Sequence, residues 1–354
     1  MLDDGGNLSI DFLAGMTLFM VALIWVATMI PGLLIGLQSR TIDYDAVAYR
    51  TGVILVEDPG MPANPPWEIK DDLQKDEIER FGLTISKETP NILKLSKVNR
   101  FFCSTSFSYP DDYQQRVIFG DRPYRFNISL TTLDGMVNNS VGDIKPYGYG
   151  YIRRIVKMKY PSNTTIQAPN FKNSGPSANV TTHVFSLYIN CTNLLGDETN
   201  PAYQIDPLGD QITVNITNLR MARVFTNLLT GDPLYNPSSL NSIKIYRQNP
   251  TQPLVQVRTV DNAYIDGGST LSAIPPVPPG PIVNDNVSII FPPGFFYGMA
   301  TDNTQLYINY TFTLQNFGDN FFNNSFTSPY PYDYNPSRVT QPRLKEGVLE
   351  VAIW

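Results

Sequence analysis

Histidine is nearly absent from this chain, which has only His183, and cysteine is scarce, with Cys103 and Cys191 alone. One histidine makes neither a metal centre nor a Ser-His-Asp triad, so His183, set in an alternating stretch, reads as structural. Two cysteines in 354 residues exclude a disulfide-dense scaffold and a four-cysteine zinc site. G-x-S-x-G, P-loop, H-E-x-x-H and C-x-x-C motifs are all missing. Asp111-Asp112 and Asn284-Asp285-Asn286 lack the ligand spacing of a calcium loop and read as turns. Charged residues make up only 16% of the chain, and the net charge of −6 argues against a nucleic-acid partner. These absences give no catalytic residue, no metal ligand and no cofactor, and the chain reads as a non-enzyme. A surface glycosidase would need two positioned carboxylates, and no pattern points to such a pair.

Basic residues are missing from everything ahead of Arg40, while Asp3 and Asp4 sit near the start. That acidic beginning is wrong for a cleaved secretory signal. Beyond it lies one uncharged apolar run, Phe12 to Leu37. As a helix it is roughly 39 Å long, against a hydrocarbon core of about 30 Å. It is the single such run, so a single membrane crossing is expected. Pro31 is expected to kink or end the helix locally. Gly32 and Gly36 have the G-x-x-x-G spacing that lets membrane helices approach closely, which suggests self-association. A plain signal anchor accounts for the apolar run but not for Asp11, a carboxylate at its entrance that is costly in lipid.

Gly6-Asn7, Ser9 and Asp11 ahead of a long apolar helix resemble the class III signal of archaeal type IV pilins. The tract Ser9 to Gly15, with Phe19 and Pro31, is similar to a group of archaeal pilin-like proteins. So is the order Trp67-Glu68, Phe81-Gly82-Leu83, Pro90-Asn91 and Lys97-Val98. The resemblance covers about the first 100 residues, and it departs from the family in lacking Lys or Arg before the glycines. It implies cleavage between Gly6 and Asn7 by a prepilin-type peptidase. It also implies that Asp11 then pairs with the free amine of a neighbouring subunit. A carboxylate and an ammonium desolvated together must pair, which gives that role a physical basis.

Past the span, Ile42, Ala46, Tyr49, Val53 and Val56 recur at helical spacing. They predict an outward extension of the same helix, packed by that stripe on the next domain and stopped by Asp58-Pro59-Gly60. Met61 to Pro66 reads as an extended linker, Glu68 to Arg80 as a solvated surface helix, and Ser96 as the N-cap of a helix through Phe102.

After Cys103 the period changes to two. Phe126, Ile128 and Leu130 alternate with polar residues, as do Ile212, Val214 and Ile216, and Leu306 through Leu314. Further strands are expected at Ile243-Ile245, Val255-Val257, Tyr151 to Tyr160, Thr182 to Cys191, Val287 to Phe291 and Val348 to Trp354. The last of these, being apolar, should be paired inside a sheet. The fold class is therefore α+β: a long N-terminal transmembrane helix followed by a mainly antiparallel, β-sandwich-like extracellular domain. The expected divisions are a leader over 1–6, the helix over 7–58, a linker with short helices over 59–102, and a β-rich head over 103–354. The Pro-rich stretch near 274–294 is a possible subdivision of that head.

The positive-inside rule does not support an outside head, because Arg40 lies on the C-terminal side of the span. Asparagines carry that expectation instead. Nine N-x-[ST] sequons come after the span, at Asn127, Asn138, Asn163, Asn179, Asn190, Asn215, Asn286, Asn309 and Asn323. Several fall on the polar positions of alternating strands, placed for solvent. In an outside domain Cys103 and Cys191 would be either a disulfide closing a long loop or two buried thiols. The expected function is that of a pilin-like surface subunit, structural or adhesive, with the membrane and copies of itself or other pilin-like subunits as partners. The alternative is a single-pass ectodomain that never polymerises and binds a ligand or cell-wall component.

Overall fold

The computed structural model describes residues 10–38, 43–120, 122–171, 182–196, 200–219, 224–226, 233–235, 238–250, 252–260, 265–266, 282–283, 286–314 and 328–354. Two helices open the chain, α1 over Ile10–Gln38 and α2 over Tyr44–Glu57, and a shorter one, α3, covers Leu95–Phe101. The rest is mostly β-sheet.

The first sheet contains β1 (Ile92–Lys94), β2 (Phe126–Thr132), β3 (Asn138–Gly142), β4 (Gly150–Tyr160) and the last strand, β18 (Arg343–Ile353). Their order across the sheet is β1-β4-β18-β2-β3, with β1 parallel to β4 and the other pairs antiparallel. The apolar strand at Val348 is therefore paired on both sides, as expected. Between β4 and β18 the chain builds a second unit. It begins with β5 (Asn163–Gln167), β6 (Thr182–Asn190), β7 (Ile212–Thr217) and a small ribbon, β8 (Val224–Thr226) with β9 (Pro233–Tyr235). It continues through β10 (Ser238–Asn249), β11 (Gln252–Val260), β12 (Ile265–Asp266), β13 (Ile282–Val283) and β14 (Val287–Phe291), and closes with β15 (Gln305–Leu314), β16 (Tyr330–Tyr332) and β17 (Val339–Thr340). One of its sheets runs β11-β10-β15-β6-β16 with β13 beside β10, and the other runs β12-β14-β7-β5-β17. Both sheets are mixed, because β16 runs parallel to β6 and β5 parallel to β7.

Two hydrophobic cores result. The first joins α2 to the inner face of the first sheet through Leu55, Val56, Ile128, Val156 and Val351, and adds the aromatic cluster Trp67, Phe81, Phe101, Phe107 and Tyr113. Phe81 and Phe107 lie with ring centroids 4.6 Å apart, in edge contact. Residues 59–102, expected as a linker, thus supply core. Their helical parts are the 3₁₀ turns Trp67–Ile69 and Asp72–Glu77, with α3 beyond them. Lys94 rather than Ser96 occupies the N-cap of α3. The second core lies between the two sheets of the second unit, where Phe185, Ile245, Ile308 and Phe312 of one share a cluster with Ile166, Val214, Ile216 and Phe291 of the other. The predicted subdivision near 274–294 falls largely outside the described residues.

Candidate functional site

Helix α1 is apolar on every side, and over Ile10–Ile30 it is long and apolar enough to cross a membrane, with none of that surface buried by the protein. Its two hydroxyls are satisfied within the helix: Thr17 Oγ1 donates to the Leu13 carbonyl at 2.7 Å and Thr28 Oγ1 to the Trp25 carbonyl at 2.8 Å. Hydrocarbon offers no partner, so a lipid-facing helix must close its hydrogen bonds this way. Asp11 lies in the first turn and is exposed. The helix runs through Pro31 to Gln38, so of the kink or local end expected at Pro31 the end does not occur. Gly32 and Gly36 sit one turn apart on that backbone. Gly6 and Asn7 lie outside the described residues.

The single continuous helix over 7–58 is also corrected. Asp43 has a non-helical backbone (φ −80°, ψ 85°) and caps a separate α2, its carboxylate accepting from the Ala46 N–H at 3.1 Å. Asp45 in the first turn accepts from the Tyr151 N–H at 2.9 Å, which fixes the start of α2 on the start of β4. A Cβ on Gly150 would overlap the Tyr44 carbonyl, so only glycine allows this approach. At the other end, Arg154 pairs with Glu57 at 3.7 Å and lies over the Tyr49 ring at 5.4 Å. The buried side of α2 is Ala48, Thr51, Gly52, Leu55 and Val56. Ala46 and Tyr49 of the predicted stripe face solvent. Small residues set this choice: a Cβ on Gly52 would stand 2.9 Å from Ile152 Cγ2, so the helix seats its narrow side on the sheet.

A buried charge cluster joins the two cores. Lys94 Nζ lies 3.4 Å from Glu68 Oε1, 3.3 Å from Asp206 Oδ2 and 3.5 Å from Asp210 Oδ1, and Lys159 Nζ is 3.3 Å from Asp210 Oδ2. Glu68, Lys94 and Lys159 belong to the first unit, Asp206 and Asp210 to the loop before β7. Burial draws the Lys94 ammonium down, but Asp210, Asp206 and Glu68 outweigh it and hold its pKa above the usual lysine value. Burial would raise Asp206, but Lys94, the Gly209 N–H and Lys159 hold it below the carboxylate range. Lys97 donates to the Pro59 and Thr84 carbonyls at 2.7 and 2.9 Å, and burial lowers its pKa to about 8. Tyr297 Oη adds a bond to Asn64 Oδ1 at 3.2 Å across the same junction. Sequence reasoning misses this cluster and reads Glu68 as solvated. Its members are scattered along the chain, and no local pattern announces them.

Cys103 and Cys191 are both free, so of the two alternatives the disulfide is not formed, and only one of the two thiols is buried. Cys191 is buried within the second core, whereas Cys103 lies half-buried beside the first, its Sγ 3.2 Å from Thr105 Oγ1. Among the sequons, Asn138 and Asn286 are exposed, while Asn127, Asn163, Asn190 and Asn215 are half-buried. Asn190 caps a short turn, its Oδ1 accepting from the Asn193 N–H at 3.3 Å, and Asn215 accepts from Ser288. Asn309 contradicts the expected solvent placement. It sits on β15 between β10 and β6, is only 8% exposed, and accepts from the buried Ser186 hydroxyl at 2.6 Å. Asn179 and Asn323 lie outside the described residues. His183 lies on β6 opposite Phe312. Among the described residues, no three His, Cys, Asp or Glu are grouped to hold a metal.

These features define a mostly β-sheet domain carrying an N-terminal helix fit to cross a membrane. The chain is similar to an uncharacterized protein of Archaeoglobus fulgidus, 29% identical over 173 residues, which cover 46% of this chain and 89% of that relative. No protein-family model and no solved structure matches it.

Proposed function

We propose that the chain is a pilin-like surface subunit: anchored by α1, processed between Gly6 and Asn7, and assembled with copies of itself or other pilin-like subunits. The observation that carries this reading is α2 laid across the inner face of the first sheet, directly after an apolar helix with Asp11 in its first turn. That arrangement suits a subunit whose helix bundles while its β-rich domain is displayed. On this reading the second unit is a sandwich-like extracellular head with an adhesive or structural role. The outer face of the first sheet mixes polar residues with the exposed Ile155 and Tyr151, and its sequons Asn127 and Asn138 suit an outward, glycosylated surface.

The break at Asp43 favours a second reading, an anchored ectodomain that does not polymerise, because a rigid continuous rod is interrupted there. Mass spectrometry of the mature N-terminus in membrane and filament fractions separates the two. A chain beginning at Asn7, found in shed filaments and lost from them in Asp11→Ala, supports the subunit. A chain that keeps its first six residues and stays in the membrane overturns it.

A further inference from the structure

A cavity of about 420 Å³ opens beside the aromatic cluster of the first core. Its walls come from three stretches: residues 102–109, the 3₁₀ turn at Asp72 and Lys75, and Ser140-Val141 on the edge strand β3. Its aromatic floor is Phe102, half-buried, and Tyr109, 39% exposed, above the fully packed Phe107 and Tyr113. Around the mouth stand the exposed hydroxyl residues Ser104, Thr105, Ser108 and Ser140. The hydroxyls of Ser104, Ser108 and Ser140 have no protein partner among the described residues.

Two charged side chains stand in the wall, one of each sign. Asp72 accepts from Arg100 at 2.8 Å, and Lys75 lies 3.9 Å from Asp112. Arg100 also donates to Ser106 Oγ at 2.7 Å and lies 5.3 Å over the Phe107 ring, which it holds beneath the floor. A phosphate or carboxylate ligand would meet one lysine, Lys75, with the carboxylates of Asp72 and Asp112 beside it, and an acyl chain would leave the ring of hydroxyls without partners. A neutral ligand with many hydroxyls and one apolar face meets both surfaces. Hydroxyls donate and accept, so they match those of a polyol in either sense, and the aromatic floor receives a face of C–H bonds. The volume is in the range of small-molecule sites.

We propose that this cavity binds a single sugar ring, either free or as the end of a glycan chain. The inference stands apart from polymerisation and would hold for either reading of the anchor.

The test is saturation-transfer difference NMR on the full chain in phospholipid nanodiscs, since glycoside detergents would compete. The chain is made in a host that adds no glycans. Glucose, galactose, mannose and N-acetylglucosamine are the probes. Saturation of ring C–H protons in at least one sugar is expected, with its loss in Ser140→Trp, which fills the mouth from an exposed edge position. Retained urea resistance in Ser140→Trp shows that the fold survives the change. No saturation with any of the four sugars, or undiminished saturation in Ser140→Trp, overturns the proposal. A glycan array then separates the sources: binding to immobilised glycans marks chain ends as the ligand, and binding to free sugars alone marks a small solute.

Discussion

Replacing Lys94 by Met should loosen the junction between the two cores, and the structure sets the size of the effect. Lys94 is 9% exposed and serves three carboxylates, but they do not depend on it equally. Asp210 keeps Lys159 at 3.3 Å. Asp206 is 27% exposed and keeps the N–H groups of Leu208 and Gly209 at 3.0 and 2.8 Å. Glu68 loses most: its side chain is fully buried, neither carboxylate oxygen has a hydrogen bond, and the nearby Lys97 is left as its one cation among the described residues. Removing one partner of a buried ion pair costs about 3–5 kcal/mol. With only one of three carboxylates hit this hard, the lower end applies, about 3 kcal/mol. The assay is urea denaturation followed by tryptophan fluorescence, Trp67 being fully buried next in sequence to Glu68. Adding Glu68→Gln to Lys94→Met should recover much of the loss, because the poorly compensated charge is gone. If Lys94→Met costs less than about 1 kcal/mol, or if the two substitutions simply add, the reasoning is refuted.

The same geometry sets other outcomes. Lys97 has a folded pKa of about 8 against about 10.4 unfolded, so between those values the unfolded chain holds a proton that the folded chain has released. The contribution of Lys97 to stability therefore rises with pH through that window, by roughly 3 kcal/mol in all. Wild type should gain on Lys97→Met from pH 7 to 10, and a flat difference would sink the account. Hydrogen bonds from Ser106 and Thr105 lower the Cys103 thiol to about 7, while burial raises Cys191 to about 12. Iodoacetamide at pH 7 should thus label Cys103 and leave Cys191 untouched until the protein unfolds, as peptide mapping will show. Gly150→Ala drives a methyl group into the Tyr44 carbonyl and should release the start of α2, costing about 1–3 kcal/mol and opening residues 43–46 to proteolysis. Glycopeptide mass spectrometry should find no glycan on Asn309 in folded protein, and occupancy there equal to that at Asn138 would contradict its burial.

Sequence periodicity works where one face of an element meets one environment. Ile212, Val214 and Ile216 alternate in burial along β7 as they do in the sequence, and Phe126, Ile128 and Leu130 do the same on β2. It misleads on α2, where hydrophobic size is not the sign of the packed face. The sheet instead receives Ala48 and Gly52, and Tyr49 covers Arg154 from outside. Asn309 shows the other limit, since alternation separates the two faces of a strand but does not say whether the second face is wet. The charge cluster, the aromatic-floored cavity and the pairing of β18 with β4 all join residues far apart along the chain. The first two have no local signature, and for β18 the apolar pattern shows only that a partner is needed.

That last pairing has a consequence for how the molecule is made. The surface that receives α2 is built from β4 and β18, and the whole second unit is translated between them. While α1 is already available to a membrane, β4 must wait with one edge open until Arg343–Ile353 arrives. The second unit can close its own core during that interval, so the sheet beneath α2 is the last part to be completed. A ribosome stalled before Arg343 would leave a helix fit for the bilayer, a finished distal unit, and an unfinished seam where the two should meet.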